Sequence, residues 1–420
     1  MSHFGSIGRW GALAALGLGV RLWAQAPAAA PAGGWQTSAQ VMQGFDTNVL
    51  LSATNPQGAA NTQYQFSLGR NWVGPRSSFS VSFSPQGAVY ASHSALNYVA
   101  ESYEQSWTYA WQHSTLTWLS SVQHMPERAS QSLGIGGGAA GAAAGSLSLA
   151  LATVLTSGTS SLSFTHQYSP RSSWSASGTV GLQVFSQDVQ LLASLAPGNP
   201  LTLQAADSRS HSAGAGVSWS HKLTERRSVA LSANASPMWY SNPARTLLYS
   251  SLQASVQQQL GAGMMLSVGG GPAWNRSLDT AAGIGALPGT SYTANAGLTM
   301  QRGRTQYGVT WDRSEQASMV PGGVTTQLLG LQYSVRWGSS WSASASAGYS
   351  QYAAVTGAAG AGQGGTYLAG QINYRIATDW SLQTGFNFNS QFLPTAGGGS
   401  VPLRRAHVSF GLSYQSGGSR

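Results

Sequence analysis

Polar and apolar residues alternate along most of this chain. The segment Trp341–Tyr349 shows the pattern most clearly, with apolar side chains at odd positions and serine or glycine between them. Successive side chains of a β-strand point to opposite faces, so a period of two predicts strands with one apolar and one polar face. Comparable stretches recur almost from end to end and are separated by turns. We therefore predict an antiparallel β-protein of about 16 to 18 strands.

The composition shows which solvents these two faces meet. Only 7% of the residues are charged although 42% are hydrophobic, and the mean hydropathy is −0.10. Soluble domains carry about 25% charged residues. A wall with lipid on its apolar side and water on its uncharged polar side accounts for these values. The predicted fold is a single all-β, transmembrane, up-and-down β-barrel in the bacterial outer membrane. A soluble β-solenoid or secreted β-protein is the alternative fold.

The first residues have the features of a secretory signal. Arg9 supplies a positive charge, residues 11–20 are apolar, and Ala24-Gln25-Ala26 offers small residues for cleavage. The predicted organisation is listed as follows: signal peptide 1–26, short flexible leader 27–35, β-barrel 36–416 and tail 417–420.

Short turns alternate with longer connections along the barrel region. Outer-membrane barrels have short periplasmic turns and long outer loops, and an even strand count places both termini on the periplasmic side. The longest connection, 125–157, contains the Gly/Ala-rich segment Gly134–Gly145. We interpret 125–157 as an outer loop and as a candidate constriction of the lumen.

Tryptophan collects beside the short turns. Because an indole is amphipathic, such residues are typical of the membrane–water boundary. The predicted interface girdle comprises Trp72, Trp111, Trp174, Trp219, Trp337, Trp341 and Trp380.

The few charges are mostly basic. The formal net charge is +9, and Lys222 is the only lysine. The arginines form no run along the sequence, which argues against a nucleic-acid partner. Many stand at turns, where they either face water and lipid headgroups or favour anions in a pore. Cysteine is absent, which excludes disulfides and thiolate metal sites.

Glu101, Glu104 and Asp312 are acidic residues that lie within predicted strands. Glu104 is opposite in phase to the apolar residues of its strand, and Asp312 follows Trp311, so both are predicted to face the lumen. Glu101 has the other phase and is predicted at the outer rim. Glu104 and Asp312 are either ion-paired wall residues or members of a charge ring that selects solutes.

No motif indicates catalysis, a cofactor or a metal. Gly134–Gly145 lacks the Lys-Ser/Thr ending of a phosphate loop, and no histidine spacing matches a metal site. His124 near Glu127 is the only candidate for acid–base chemistry, and we predict that the protein is not an enzyme.

The segment Gly44-Phe45-Asp46-Thr47-Asn48-Val49-Leu50 resembles the end of the first strand in bacterial outer-membrane barrels of the porin-like and exopolysaccharide-associated kind. The resemblance implies an envelope channel or an export-linked barrel. Barrels of this kind often end on an aromatic residue that the assembly machinery recognises. Here six residues follow Tyr414, so Phe410–Tyr414 would serve as an internal signal.

Two functions remain open from the sequence. The first is a water-filled channel for passive passage of small polar solutes or for polysaccharide export. The second is a non-transporting structural or surface-adhesion barrel with outward Gly/Ala-rich loops. The expected partners are outer-membrane lipid, the outer-membrane assembly machinery and either a polysaccharide or a small polar solute.

Overall fold

A computed structural model describes the chain in nine segments: 34–49, 55–126, 153–187, 208–241, 244–278, 289–316, 324–354, 363–394 and 400–416. These residues form eighteen β-strands and one short 3-10 turn, Ser94–Leu96. The strands are β1 Trp35–Asp46, β2 Ala59–Val73, β3 Ser77–Tyr90, β4 Tyr98–Ala110, β5 Ser114–Pro126, β6 Thr153–Ser169, β7 Ser172–Gln187, β8 Ser208–Thr224, β9 Arg227–Ser241, β10 Ala244–Gly261, β11 Met264–Ser277, β12 Gly289–Arg302, β13 Thr305–Gln316, β14 Val324–Trp337, β15 Trp341–Ala354, β16 Gln363–Arg375, β17 Trp380–Pro394 and β18 Ser400–Ser416. No helix among the described residues is long and apolar enough to cross a membrane.

Each strand pairs with the next in antiparallel fashion, and the last strand pairs with the first. In this closing pair Thr37 lies opposite Ser416 and Asp46 lies opposite His407. The sheet is therefore a closed up-and-down barrel, and the predicted fold is confirmed. The barrel has eighteen strands, the upper end of the predicted range of 16 to 18.

The connections fall into two classes. Eight short turns, from 74–76 to 376–379, lie at one end of the barrel, together with the start of β1 and the end of β18. Gly263 and Gly303 occupy turns with φ of 76° and 57°, a backbone region that glycine adopts without steric cost. The other connections lie at the opposite end, and all of them except 242–243 are longer. We call the two ends the short-turn rim and the long-connection rim.

The proposed constriction 125–157 needs a correction. Residues 153–157 belong to β6 and are paired with β5, since Val154 lies opposite Pro126. The start of β6 could not be located from the sequence, because Val154 and Leu155 follow a long Gly/Ala-rich stretch without a turn signal. Residues 127–152, which include Gly134–Gly145, lie outside the described part of the chain.

Every strand presents an apolar face outwards and a polar face inwards. In β15 the outward Ala347 lies between Leu331 and Leu368 of the neighbouring strands, and both leucines are exposed. The inward neighbour Ser346 lies opposite Gln332. Large exposed apolar side chains cover the outside of the barrel, whereas a soluble protein would bury them. The buried side chains are mostly inward ones near the long-connection rim.

Candidate functional site

Hydroxyl groups line much of the lumen wall and bond across neighbouring strands. Ser173 bonds Ser220 at 2.8 Å, and Ser175 bonds Ser218 at 2.7 Å, both between β7 and β8. The same arrangement joins other strand pairs, as listed here: Ser80–Ser106, Ser121–Thr159 and Ser381–Ser413, each at 2.6 Å. A hydroxyl keeps hydrogen-bonding capacity for water after one such bond. These hydroxyl groups therefore offer the lumen an uncharged surface that can hydrogen-bond to water.

Amide side chains extend this wall across the closing pair of strands. Gln40 of β1 donates to Gln383 of β17 at 2.7 Å, and Gln383 donates to Ser413 of β18 at 3.0 Å. Gln253 donates to Asn295 at 2.8 Å on the opposite part of the barrel. The Gln40–Gln383 and Gln253–Asn295 contacts each reach over a strand, so they tie the wall together on its inner side.

Glu101, Glu104 and Asp312, the acidic residues singled out from the sequence, take the following places. Glu104 lies opposite Ser82 and Ser121 on the inward face, and Asp312 lies opposite Asn295 on the inward face. Glu101 faces outwards in β4, directly opposite His124. A role of Glu104 and Asp312 in solute selection stays a prediction.

A buried ion pair joins the first and last strands at the long-connection rim. Arg405 of β18 donates from Nε to Oδ2 of Asp46 at 2.7 Å. Asp46 is fully buried and Arg405 is 6% exposed. Charge-assisted bonds of this kind are stronger than neutral ones, and each partner neutralises a charge that burial would make costly. The sequence analysis did not select either residue.

The two residues after Asp46 also bind β18. Thr47 accepts a hydrogen bond from the backbone N–H of Ala406 at 2.9 Å, and the Asn48 amide donates to the carbonyl of Arg404 at 3.0 Å. The Asn48 N–H in turn donates to the Asp46 carboxylate at 3.0 Å. This turn ends β1 at Asp46, within the segment 44–50 that resembles the end of the first strand in other outer-membrane barrels. We call residues 46–48 with Arg405 the seam latch.

A second buried polar group lies beside the latch on the inner wall. Gln63 of β2 contacts Nε2 of His407 at 3.2 Å, and Asn61 approaches the same nitrogen at 3.5 Å. Gly44 of β1 lies between His407 and Asn61. A Cβ at this position would lie 2.6 Å from His407 Nε2 and 2.8 Å from Asn61 Oδ1. The Nδ2 of Asn61, the Nδ1 of His407 and the Oγ of Ser409 are buried without a hydrogen-bond partner.

Replacing Gly44 by alanine is expected to destabilise the barrel by about 1–3 kcal/mol, the usual range for overpacking. His407 and Asn61 are both buried and have little room to move away from the added Cβ. Urea titration in phospholipid vesicles, followed by tryptophan fluorescence, measures the change. Gly178→Ala is the matched control: nothing lies within 4 Å of its Cβ position, and its stability should stay the same or rise slightly. Equal effects at both positions would refute this account of Gly44.

All seven predicted girdle tryptophans lie at the short-turn rim with exposed side chains on the outer surface. Trp219 donates to Tyr168 at 2.7 Å, and Trp341 packs on Tyr374 at 4.4 Å between ring centres. Arg70 lies 5.2 Å and 4.7 Å from the ring centres of Trp35 and Trp72. Their role as lipid anchors stays a prediction.

A second set of outward aromatics, which the sequence analysis missed, lies towards the long-connection rim. Its exposed members are Trp239, Trp274, Tyr292 and Trp311. Arg313 stacks over Tyr292 at 4.2 Å. Trp274, Tyr292 and Trp311 lack a short turn beside them, which was the signal that identified the first set.

The short-turn rim carries most of the basic charge. Ten of the sixteen basic residues described lie within four residues of a short turn: Arg70, Arg76, Arg171, Lys222, Arg226, Arg227, Arg302, Arg304, Arg336 and Arg375. Among the described residues only Glu225 and Asp379 oppose them there, so the formal charge of the described part of this rim is 10 − 2 = +8. Residues that form no run along the sequence thus gather at one end of the folded chain.

Histidines of the outer surface bond to hydroxyl groups. Ser114 bonds His166 at 2.8 Å, Ser172 bonds His221 at 2.7 Å, and His124 bonds Thr156 at 2.8 Å. Each bond joins neighbouring strands on the outer surface, away from the lumen wall. The predicted partner of His124, Glu127, lies outside the described residues. Within the described ranges no group of three His, Cys, Asp or Glu side chains could hold a metal ion.

The closed sheet and its two faces define the class of protein. A barrel with no free edge, an apolar outside and a hydrated inside satisfies every strand hydrogen bond within a membrane. The chain is a transmembrane β-barrel. Its eighteen strands give it the strand number of large porin barrels.

No protein-family model matches the sequence, and no curated protein sequence is similar to it. Solved structures with a similar barrel include OpdL from Pseudomonas aeruginosa, with 12% identity, coverage of 91% of this chain and 98% of OpdL, and a TM-score of 0.43. The FrpB iron transporter from Neisseria meningitidis has 7% identity, 90% and 81% coverage, and a TM-score of 0.48. The ferric enterobactin receptor PfeA from Pseudomonas aeruginosa has 9% identity, 91% and 82% coverage, and a TM-score of 0.46. These likenesses concern the barrel architecture alone.

Proposed function

We propose that the barrel is a channel for the passive diffusion of small polar solutes across the outer membrane. The observation that carries this proposal is the wall of hydroxyl and amide side chains on the inner face of an eighteen-stranded barrel. Barrels of 16 to 18 strands are too wide for wall side chains to fill, and porins of this size hold an aqueous channel. Selection would act through lumen width and through the few inward charges.

Two features support details of this proposal. Inward side chains near the long-connection rim, such as Asn61 and Ser409, are buried, so the narrow part of the channel is proposed at that end. The segment 44–50, which resembles export-linked barrels, uses Asp46 and Asn48 to bind β18. These contacts close the barrel and do not indicate a polymer. Diffusion of small solutes is therefore the simpler function.

Single-channel recording in planar lipid bilayers tests the proposal. We expect stepwise conductance from the purified, heat-modifiable barrel. Ser218→Trp places a large side chain on the inner face and should lower the conductance, whereas Val217→Trp places it on the outer face and should leave it unchanged. This pair also separates the protein's own conductance from that of a contaminating porin. A folded barrel without conductance would instead favour the structural or surface-adhesion function.

A further inference from the structure

We propose that the short-turn rim makes the channel selective for anionic solutes, an inference that rests on the proposed channel function. The described part of the rim has a formal charge of 10 − 2 = +8, and all twelve of its charged residues except Arg70 are well exposed. Lys222, Arg336 and Arg375 are the members whose strand register places them on the inward face. Each of the three lies opposite a serine of the inner wall: Lys222 opposite Ser228, Arg336 opposite Ser342 and Arg375 opposite Ser381.

The strand register distinguishes these three inward residues from three cationic residues of the same rim that face outwards. Arg70, Arg227 and Arg302 have the opposite phase, and their side chains belong to the outer surface. Arg70 lies against Trp35 and Trp72, and Arg227 donates to Gln258 at 2.6 Å. The rim therefore contains three inward and three outward cationic side chains that can be compared directly.

The size of the barrel allows inward charges to act on a solute at its axis. Eighteen strands about 4.8 Å apart and tilted by about 40° give a backbone radius of about 18 Å. An inward arginine or lysine side chain then holds its charge about 10 Å from the axis. This distance equals the Debye length at about 0.1 M salt, so the attraction is reduced but not removed. An outward charge is about twice as far away and is screened far more.

Each inward cation attracts an anion at the channel axis across about 10 Å of water, and one Debye length of salt screens this attraction. Each such charge therefore raises the rate of anion entry and lowers the rate of cation entry by a modest factor. For three charges together the anion-to-cation permeability ratio changes about fourfold. Glu104 and Asp312 are inward acidic residues and act in the opposite direction. The preferred solutes are accordingly small organic or inorganic anions.

The reversal potential across a bilayer with a KCl gradient tests this assignment, with chloride and potassium as the probes. We expect the unmodified barrel to prefer chloride at about 0.1 M salt and to lose most of this preference at about 1 M, where the Debye length is about 3 Å. The triple variant Lys222→Gln, Arg336→Gln, Arg375→Gln should lower the permeability ratio about fourfold at the lower salt.

The outward triple variant Arg70→Gln, Arg227→Gln, Arg302→Gln is the matched control, because it removes the same charge from the same rim. It should leave the ratio unchanged, and Glu104→Gln with Asp312→Asn should raise it. A conducting barrel that prefers potassium, or one in which both triple variants behave alike, overturns the anion selectivity but leaves the channel function standing. Absence of any conductance overturns the channel function itself.

Discussion

Replacing Asp46 by asparagine is expected to lower the free energy of unfolding of the barrel by about 3–5 kcal/mol, the usual cost of breaking a buried ion pair. The substitution keeps the size of the side chain but leaves the guanidinium of Arg405 buried without its counter-charge. Arg405→Gln should cost a similar amount because it leaves the carboxylate of Asp46 uncompensated. Urea titration in phospholipid vesicles measures both changes.

Two comparisons make this prediction specific to the seam latch. Arg404→Gln removes the neighbouring arginine, whose side chain is exposed on the outer face, and should change stability by no more than about 0.5 kcal/mol. In the double variant Asp46→Asn, Arg405→Gln no buried charge remains, so the combined loss should be well below the sum of the single losses. Additive losses would show that the two side chains do not stabilise each other.

The latch has a structural consequence for the whole barrel. Neighbouring strands within the chain are held together by a connection as well as by their hydrogen bonds, but β1 and β18 are joined by hydrogen bonds and side chains alone. Asp46 and Arg405 are 359 residues apart, so their contact ties the first strand of the barrel directly to the last. The segment that resembles other outer-membrane barrels thus has a physical role in closing this one.

The barrel could be predicted from the sequence because its main signal is local. A period of two assigns Ala345 and Ser346 to opposite faces without any knowledge of the neighbouring strands. Short turns can likewise be recognised from a few neighbouring residues, as at Arg302-Gly303-Arg304. The faces of Glu104 and Asp312 follow from the phase of their own strands.

The seam latch and the basic rim could not be predicted in this way because they depend on distant strands meeting. Asp46 has the inward phase, but nothing near it in sequence identifies Arg405 as its partner. A usable signal did exist: in a chain with so few charges, an inward aspartate in the first strand and an inward arginine in the last are natural partners once the barrel closes. Lys222, Arg336 and Arg375 likewise come together only when eight short turns are brought to one end.

Introducing arginine at Ala347 is expected to destabilise the barrel by about 2–4 kcal/mol, the cost of a cation on the lipid face near the bilayer midplane. Ala347 lies in the middle of β15, between the outward leucines Leu331 and Leu368, so the guanidinium would meet hydrocarbon. Urea titration of the variant in phospholipid vesicles gives the change in the free energy of unfolding.

Arginine at the adjacent residue, Ser346, provides the matched comparison, because it adds the same side chain one residue away on the inward face. There the guanidinium meets water and the amide of Gln332, and the expected loss is below about 1 kcal/mol. The inward variant should in addition lower the single-channel conductance, since it narrows the lumen, whereas folded Ala347→Arg should conduct as before. If the costs at the two positions were equal or reversed, the outside of this barrel would not face lipid.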